Sequence, residues 1–376
     1  MPSHALRARA QSRVPDLCGA GRRLIGWALA TAACLSLVVV SPAAALDANA
    51  PADTHIVTDS AGRTVTVPNR IARVQAAGPP ATVLLYTLAP EKLIGWVRKP
   101  SPAELEFLNP KVRELPEIGR LTGRGDTANL EVVIKAKPDL IIDFGTVNPT
   151  YVSLADRVQA QTGIPYLLID GRLASTVASM KLVGKILGVD ARAETLADKA
   201  AAVMGEAEQT VAAVPEAQRP RVYLARQASG LQTGNRGSIN TEIIERAGGI
   251  NVATGGREGG GLFNVSPEQV IAWNPDAVIT VDANFFASVH STPAWSDIAA
   301  VKQNRVFLRP DLPYGWIDEP PSLNRLLGLQ WLLRLFYPQR FNGDMRVLTR
   351  DFYKQFYQVE LSDAQLDRLL AGTRGP

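Results

Sequence analysis

Cysteine is nearly absent: of 376 residues only Cys18 and Cys34 carry a thiol, and both fall within the first 45 positions. Beyond them the chain has no disulfide, no thiolate nucleophile and no thiolate metal ligand. Histidine is almost as scarce, with only His55 and His290 beyond residue 45. That is too few for the imidazole cluster of a bare zinc or manganese site, so no resident metal is expected. No Ser/His/Asp set stands in a recognisable nucleophile context, and no catalytic residue is assigned. The glycine run Gly255-Gly-Arg-Glu-Gly-Gly-Gly261 lacks the Gly-Lys-Ser/Thr ending of a phosphate loop and reads as a cleft loop. An excess of one charge is missing too. The net charge of +4 and isoelectric point near 9.1 arise at the N-terminus, where five of the 40 basic residues face one of the 36 acidic ones, Asp16. The remaining 35 against 35 offers no basic face for nucleic acid.

What is present begins with an export signal. Arg7, Arg9, Arg13, Arg22 and Arg23 precede an apolar run from Leu24 to Val40, followed by Ser41-Pro-Ala-Ala-Ala45. A basic end, an apolar middle and a small-residue exit describe a secretory signal cut after Ala45, so an exported protein is expected. The alternative is an uncleaved membrane anchor. The residues match neither the twin-arginine nor the lipoprotein pattern completely, and the export route stays open.

The body, 46% hydrophobic and 20% charged over the whole chain, has ordinary globular composition. His55–Thr58 and Arg63–Val67 around Asp59-Ser-Ala-Gly62 predict a β-hairpin. Strands are expected at 71–74, 93–97, 140–143 and 166–169, with helices at 79–88, 129–137 and 151–161 between them. After residue 219 the alternation restarts, with strands at 221–225, 277–281 and 306–308. Helices are expected there at 240–247, 295–301 and 323–336, then one across Phe352–Tyr357 and a short last one capped by Ser362. Such alternation implies largely parallel sheets.

Between the halves lies Asp190–Ala213, rich in helix formers and free of proline. Leu196, Ala200, Val203, Met204, Ala207 and Val211 repeat at helical spacing, and Asp190 is a candidate cap. The expected fold is α/β: two lobes with mostly parallel sheets flanked by helices, joined by one long rigid helix. The expected divisions are a signal peptide (1–45), an N-terminal hairpin extension (46–72), a first α/β lobe (73–173), a helical linker (174–218), a second α/β lobe (219–338) and a C-terminal helical tail (339–376).

One internal match ties the halves together. Glu131-Val-Val-Ile-Lys-Ala-Lys-Pro-Asp-Leu-Ile-Ile aligns with Glu268-Gln-Val-Ile-Ala-Trp-Asn-Pro-Asp-Ala-Val-Ile at one offset, with identities at Glu131/Glu268, Val133/Val270, Ile134/Ile271, Pro138/Pro275 and Asp139/Asp276. Generic α/β geometry explains the apolar positions and the proline, but not a glutamate at both helix starts.

Together with the opening VTDSAGRTVTVP and the later GWIDEPPSLNRLLGLQWLLRLFYP, these segments resemble the substrate-binding proteins of ABC importers for iron-siderophore complexes, haem and cobalamin, over about Thr54–Pro338. The resemblance implies a monomeric, non-enzymatic binding protein of the periplasm that hands a ferric chelate to the transmembrane subunits of an inner-membrane permease. It also implies that Glu131 and Glu268 dock into basic pockets of that permease. Haem, cobalamin or a molybdate-like oxyanion are the alternative cargoes; a periplasmic enzyme or metal-insertion protein is the rival of another class. No cofactor is expected beyond an iron(III) complex as cargo.

In two facing parallel-sheet lobes, ligands sit beyond the carboxyl ends of the strands. The loops there carry Arg120, Arg124, Tyr151, Arg226, Arg236, Tyr314 and Trp316, a set suited to a bulky anionic chelate, with a tyrosine phenolate as a candidate iron ligand.

Overall fold

The computed structural model describes residues 53–123, 129–256, 261–341 and 343–371. The export signal and Arg124 lie outside them. Strands β1 (Thr54–Thr58) and β2 (Thr64–Pro68) form the antiparallel hairpin. Its turn closes an open sheet edge: Ser60 N donates to Leu168 O at 2.8 Å, and Asp59 Oδ2 accepts from Leu168 N at 3.1 Å.

The first sheet is parallel, in the order β3 (Val74–Ala76), β4 (Leu140–Gly145), β5 (Tyr166–Asp170). Its helices are α1 (Pro79–Leu88), the single turn α2 (Pro102–Leu105), α3 (Leu130–Ala136) and α4 (Pro149–Thr162). Strand β3 starts later than expected because Ala72 N and Arg73 N donate to the Asp139 carboxylate, at 2.8 Å each, instead of to a strand. Residues 93–97 form no strand; they make two isolated bridges, Val74 to Leu93 and Trp96 to Glu117.

Two helices follow, α5 (Thr176–Leu187) and α6 (Asp190–Ala212). Gly188 turns the chain between them at φ +65°, a conformation that glycine adopts without cost. This tight link corrects the capping expectation: Val189, not Asp190, occupies the cap position, and no side chain caps the helix. A Cβ on Gly184 would overlap the Ala193 methyl, so glycine lets α5 and α6 cross closely. Helix α6 runs 23 residues, about 35 Å. It buries Ala193, Leu196, Ala197, Ala200, Met204 and Ala207; Val203 and Val211 are half-buried.

The second sheet is also parallel, in the order β11 (Val306–Leu308), β10 (Ala277–Thr280), β6 (Arg221–Ala225), β8 (Ile250–Asn251). A small antiparallel pair, β7 (Gln232–Gly234) with β9 (Leu262–Asn264), lies beside it. Around these stand α7 (Glu242–Arg246), α8 (Pro267–Trp273), α9 (Ala283–Ser288), α10 (Ala299–Lys302) and α11 (Arg325–Phe336). The helix expected at 295–301 is broken into a 3-10 turn (Pro293–Trp295) and α10. The chain ends with α12 (Met345–Phe352), a π-turn (Tyr353–Tyr357) and α13 (Asp363–Leu370), the last opened by a Ser362/Gln365 capping box.

One apolar core links both halves, running from Val74 and Leu140 through Leu196 and Met204 to Leu224, Leu327 and the tail residues Phe352 and Tyr357. Polar groups reinforce that junction. Ser322 Oγ donates to Pro80 O at 2.8 Å, Arg192 Nε to Thr87 O at 2.9 Å, and Tyr86 Oη to Tyr357 O at 2.7 Å.

The internal repeat is structural. Helices α3 and α8 have seven residues each and end in left-handed residues, Lys137 at φ +48° and Asn274 at φ +40°. Asp139 N donates to Arg73 O and Asp276 N to Arg221 O, both at 2.8 Å. Arg73 Nη2 then donates to Ala136 O at 2.7 Å, and Arg221 Nη2 to Trp273 O at 2.8 Å. In both halves an arginine at a strand start satisfies the last carbonyls of the neighbouring helix.

Candidate ligand cleft

The carboxyl ends of the two sheets border a cleft of about 1010 Å³. From the first half come Pro79 and Pro80 at the start of α1, Trp96 and Arg98, Arg120 and Thr122, Asp143 at the end of β4, Asn148 and Tyr151 opening α4, and Arg172 after β5. The second half contributes Arg226 after β6, Ser238 and Asn240, Arg309 and Asp311 after β11, Tyr314, Asp318 and Glu319.

Four of the seven residues expected here do line the cleft: Arg120, Tyr151, Arg226 and Tyr314. Arg236 does not; it is exposed, and its Nε donates to Asn251 O at 2.9 Å. Trp316 is a core residue, 1% exposed, packed where Gly328 of α11 leaves room for its carbonyl. Arg124 is outside the described residues.

The electrostatics correct the expectation of arginines waiting for an anion. Arg226 is 8% exposed and bonds Asp318 through Nη1 and Glu319 Oε1 through Nη2, the latter at 3.0 Å. Arg309 Nη2 reaches Glu319 Oε2 at 2.7 Å, and Asn240 Nδ2 donates to Asp318 Oδ1 at 3.0 Å. Glu319 holds this bridging position at φ +65°, unusual for a residue with a side chain. Arg98 pairs with Glu104 at 2.6 Å, and Arg172 with Asp170 at 3.1 Å. Among the described residues, five arginines (98, 120, 172, 226, 309) share the lining with five carboxylates (104, 143, 311, 318, 319), so their formal charges cancel. Asp318 and Glu319 were not foreseen because they lie 92 and 93 residues from Arg226.

Tyr314 lines the cleft but presents no exposed phenol oxygen to it. Its ring stands edge-on to Tyr86 and Tyr357, with centroids 6.3 and 5.7 Å away, and its buried hydroxyl has no partner among the described residues. Burial raises its pKa well above the ordinary phenol value.

Asp143 is the distinctive acid. Its side chain accepts from Thr122 Oγ1 at 3.3 Å and Tyr166 Oη at 3.2 Å. Burial raises its pKa to about 6, since neutral hydroxyls only partly replace lost water.

Glu131 and Glu268 stand away from this lining, exposed in the first turns of α3 and α8. Asn129 Oδ1 caps α3 by accepting from Glu131 N at 2.9 Å, and Ser266 Oγ caps α8 from Gln269 N at 3.3 Å. The Ser266 side chain also holds the Glu268 carboxyl below its ordinary pKa. Ile134 and Ile271, one turn further along, are exposed at 47% and 41%.

Two parallel sheets meeting across a cleft at their carboxyl ends, braced by a long helix, define a bilobal substrate-binding protein. The chain belongs to the periplasmic binding protein family, which matches residues 109–312, or 204 of the 376. The molybdate-binding protein MolA of Haemophilus influenzae is 25% identical over 352 residues, covering 86% of this chain and 96% of that protein. An uncharacterised ABC transporter substrate-binding lipoprotein of Bacillus subtilis, YvrC, is 23% identical over 313 residues, covering 80% and 92%. Among solved structures, an ABC transporter solute-binding protein from Sulfurospirillum deleyianum aligns with TM-score 0.75 and 29% identity over 84% of this chain and 99% of that one. All three of these relatives are named as binding proteins.

Proposed function

We propose that this protein is the extracytoplasmic substrate-binding component of an ABC importer and that its cargo is a bulky ferric chelate. The observation that carries the cargo is the cleft: about 1010 Å³, at the upper end of the roughly 300–1,000 Å³ typical of small-molecule sites, with a lining of balanced charge. A tetrahedral oxyanion fills a small part of such a space. The buried arginines it requires are already bonded to Asp318 and Glu319. A chelate presents a broad surface of mixed polarity and suits these walls better.

Glu131 and Glu268, repeated on equivalent helices with exposed Ile134 and Ile271 beside them, are the proposed contacts to the permease subunits. The protein performs no chemistry and acts as a monomer in the periplasm after removal of its signal. A molybdate-like oxyanion is the second reading, favoured by the near full-length similarity to MolA. Native mass spectrometry and absorption spectra of the protein purified from periplasm test the choice. A chelate mass with a ligand-to-metal charge-transfer band is expected; bound molybdate alone contradicts the first reading.

A further inference from the structure

Asp143 is 7% exposed, lines the cleft, and makes no ion pair among the described residues. Buried carboxylates are normally paired or bound to metal, because desolvating an isolated charge is costly. Here both side-chain partners, Thr122 and Tyr166, are neutral hydroxyls. Arg120 lines the cleft as well and has contacts of its own. With the Phe144 N–H the two hydroxyls make three donors, which leaves part of a carboxylate's roughly four acceptor sites unfilled. At the opposite wall Asp318 and Glu319 are matched by Arg226 and Arg309, and Asp311 is exposed to solvent. Asp318 and Glu319 on the second wall are thus held in ion pairs, whereas Asp143 on the first wall is buried with no ion pair among the described residues.

We infer that Asp143 is a specificity-determining contact that receives a cationic N–H arm, such as a primary ammonium, carried by the bound chelate. This rests on the chelate reading above and narrows it: the preferred cargo carries a positively charged arm outside its metal-binding groups. An arm seated there supplies the missing opposite charge and donates to the carboxylate, the geometry of a strong charge-assisted hydrogen bond.

A pair of ferric trihydroxamates tests this, one linear with a free primary ammonium and one cyclic without it. Both are titrated against wild type and Asp143→Asn by fluorescence quenching, with molybdate in parallel. Wild type should favour the ammonium form by about tenfold or more, the worth of one hydrogen bond to a charged group. Asp143→Asn should remove that preference, bringing the ratio of the two affinities to about one. The comparison within wild type needs no variant, so misfolding does not mask it. If wild type binds both chelates equally, the inference fails while the chelate reading stands. If Asp143→Asn weakens both alike, the carboxylate touches a shared part of the ligand and the arm is misassigned. Binding of molybdate with neither chelate overturns the cargo reading and this inference together.

Discussion

Arg325 and Glu242 fasten the two halves of the molecule beside the cleft. Arg325 Nη1 donates to Glu242 Oε1 at 2.7 Å and its Nη2 to Gly171 O at 2.6 Å, while Glu242 Oε1 also accepts from Leu173 N at 2.9 Å. Both side chains start in the second half, and both reach backbone at the end of the first. The Ser322-Leu-Asn-Arg325 segment that marks the family resemblance is thus a junction rather than a ligand contact; Ser322 and Arg325 both bond first-half carbonyls.

Arg325→Met should lower stability by about 3–5 kcal/mol, because it leaves Glu242 buried without its cation. Urea denaturation of Arg325→Met, Glu242→Gln and the double variant measures this. A double variant no worse than the worse single is expected from residues that act as one unit. Additive losses contradict the coupling.

The same junction limits motion. With α6, Arg325 and the Tyr86–Tyr357 contact all spanning the halves, closure on ligand should be small. Small-angle scattering should show nearly unchanged radii with and without ligand. A large contraction contradicts a fixed brace.

The fold was legible where local physics dominates. Continuous apolar runs gave β4 and β10, Pro79 and Pro80 opened α1, and the repeat at one offset marked α3 and α8. The cleft was less legible, since its chemistry lies in pairs formed across the fold. Arg226 reads as a free cation until Asp318 is beside it, and Trp316 reads as a ligand contact until α11 covers it. Arg73 and Arg221 play the same part in both halves but lie 148 positions apart, off the repeat offset, so alignment alone does not pair them.

Asp143 makes stability depend on pH. Its folded pKa, about 6, lies above the ordinary 3.8, so the protonated acid suits the fold better than the charged one. The favourable contribution is present below pH 3.8 and disappears as pH rises through 6. Asp143→Asn should therefore gain on wild type between about pH 4 and pH 7, by at most about 3 kcal/mol. Chemical denaturation across that range measures it. A difference that does not change with pH contradicts the burial argument.

At the second wall, Arg226→Met should destabilise by about 3 kcal/mol by stranding Asp318, and Arg226→Met/Asp318→Leu should recover most of the loss. Thermal unfolding of the three proteins decides this. If the single variant matches wild type, Arg226 is not committed to its carboxylates.

For docking, Glu131→Ala and Glu268→Ala should each reduce uptake in cells by about tenfold, and the pair more, with ligand affinity unchanged. Uptake of labelled cargo beside binding titrations separates the two effects. Full uptake by the double variant removes the docking assignment.

The most direct test of the central claim is a parallel titration of ligand-free protein with a ferric trihydroxamate, cobalamin, haem and molybdate, followed by calorimetry. The account predicts saturable one-to-one binding of the ferric chelate in the cleft and no heat with molybdate. Saturable binding of molybdate with silence from the chelate would contradict it.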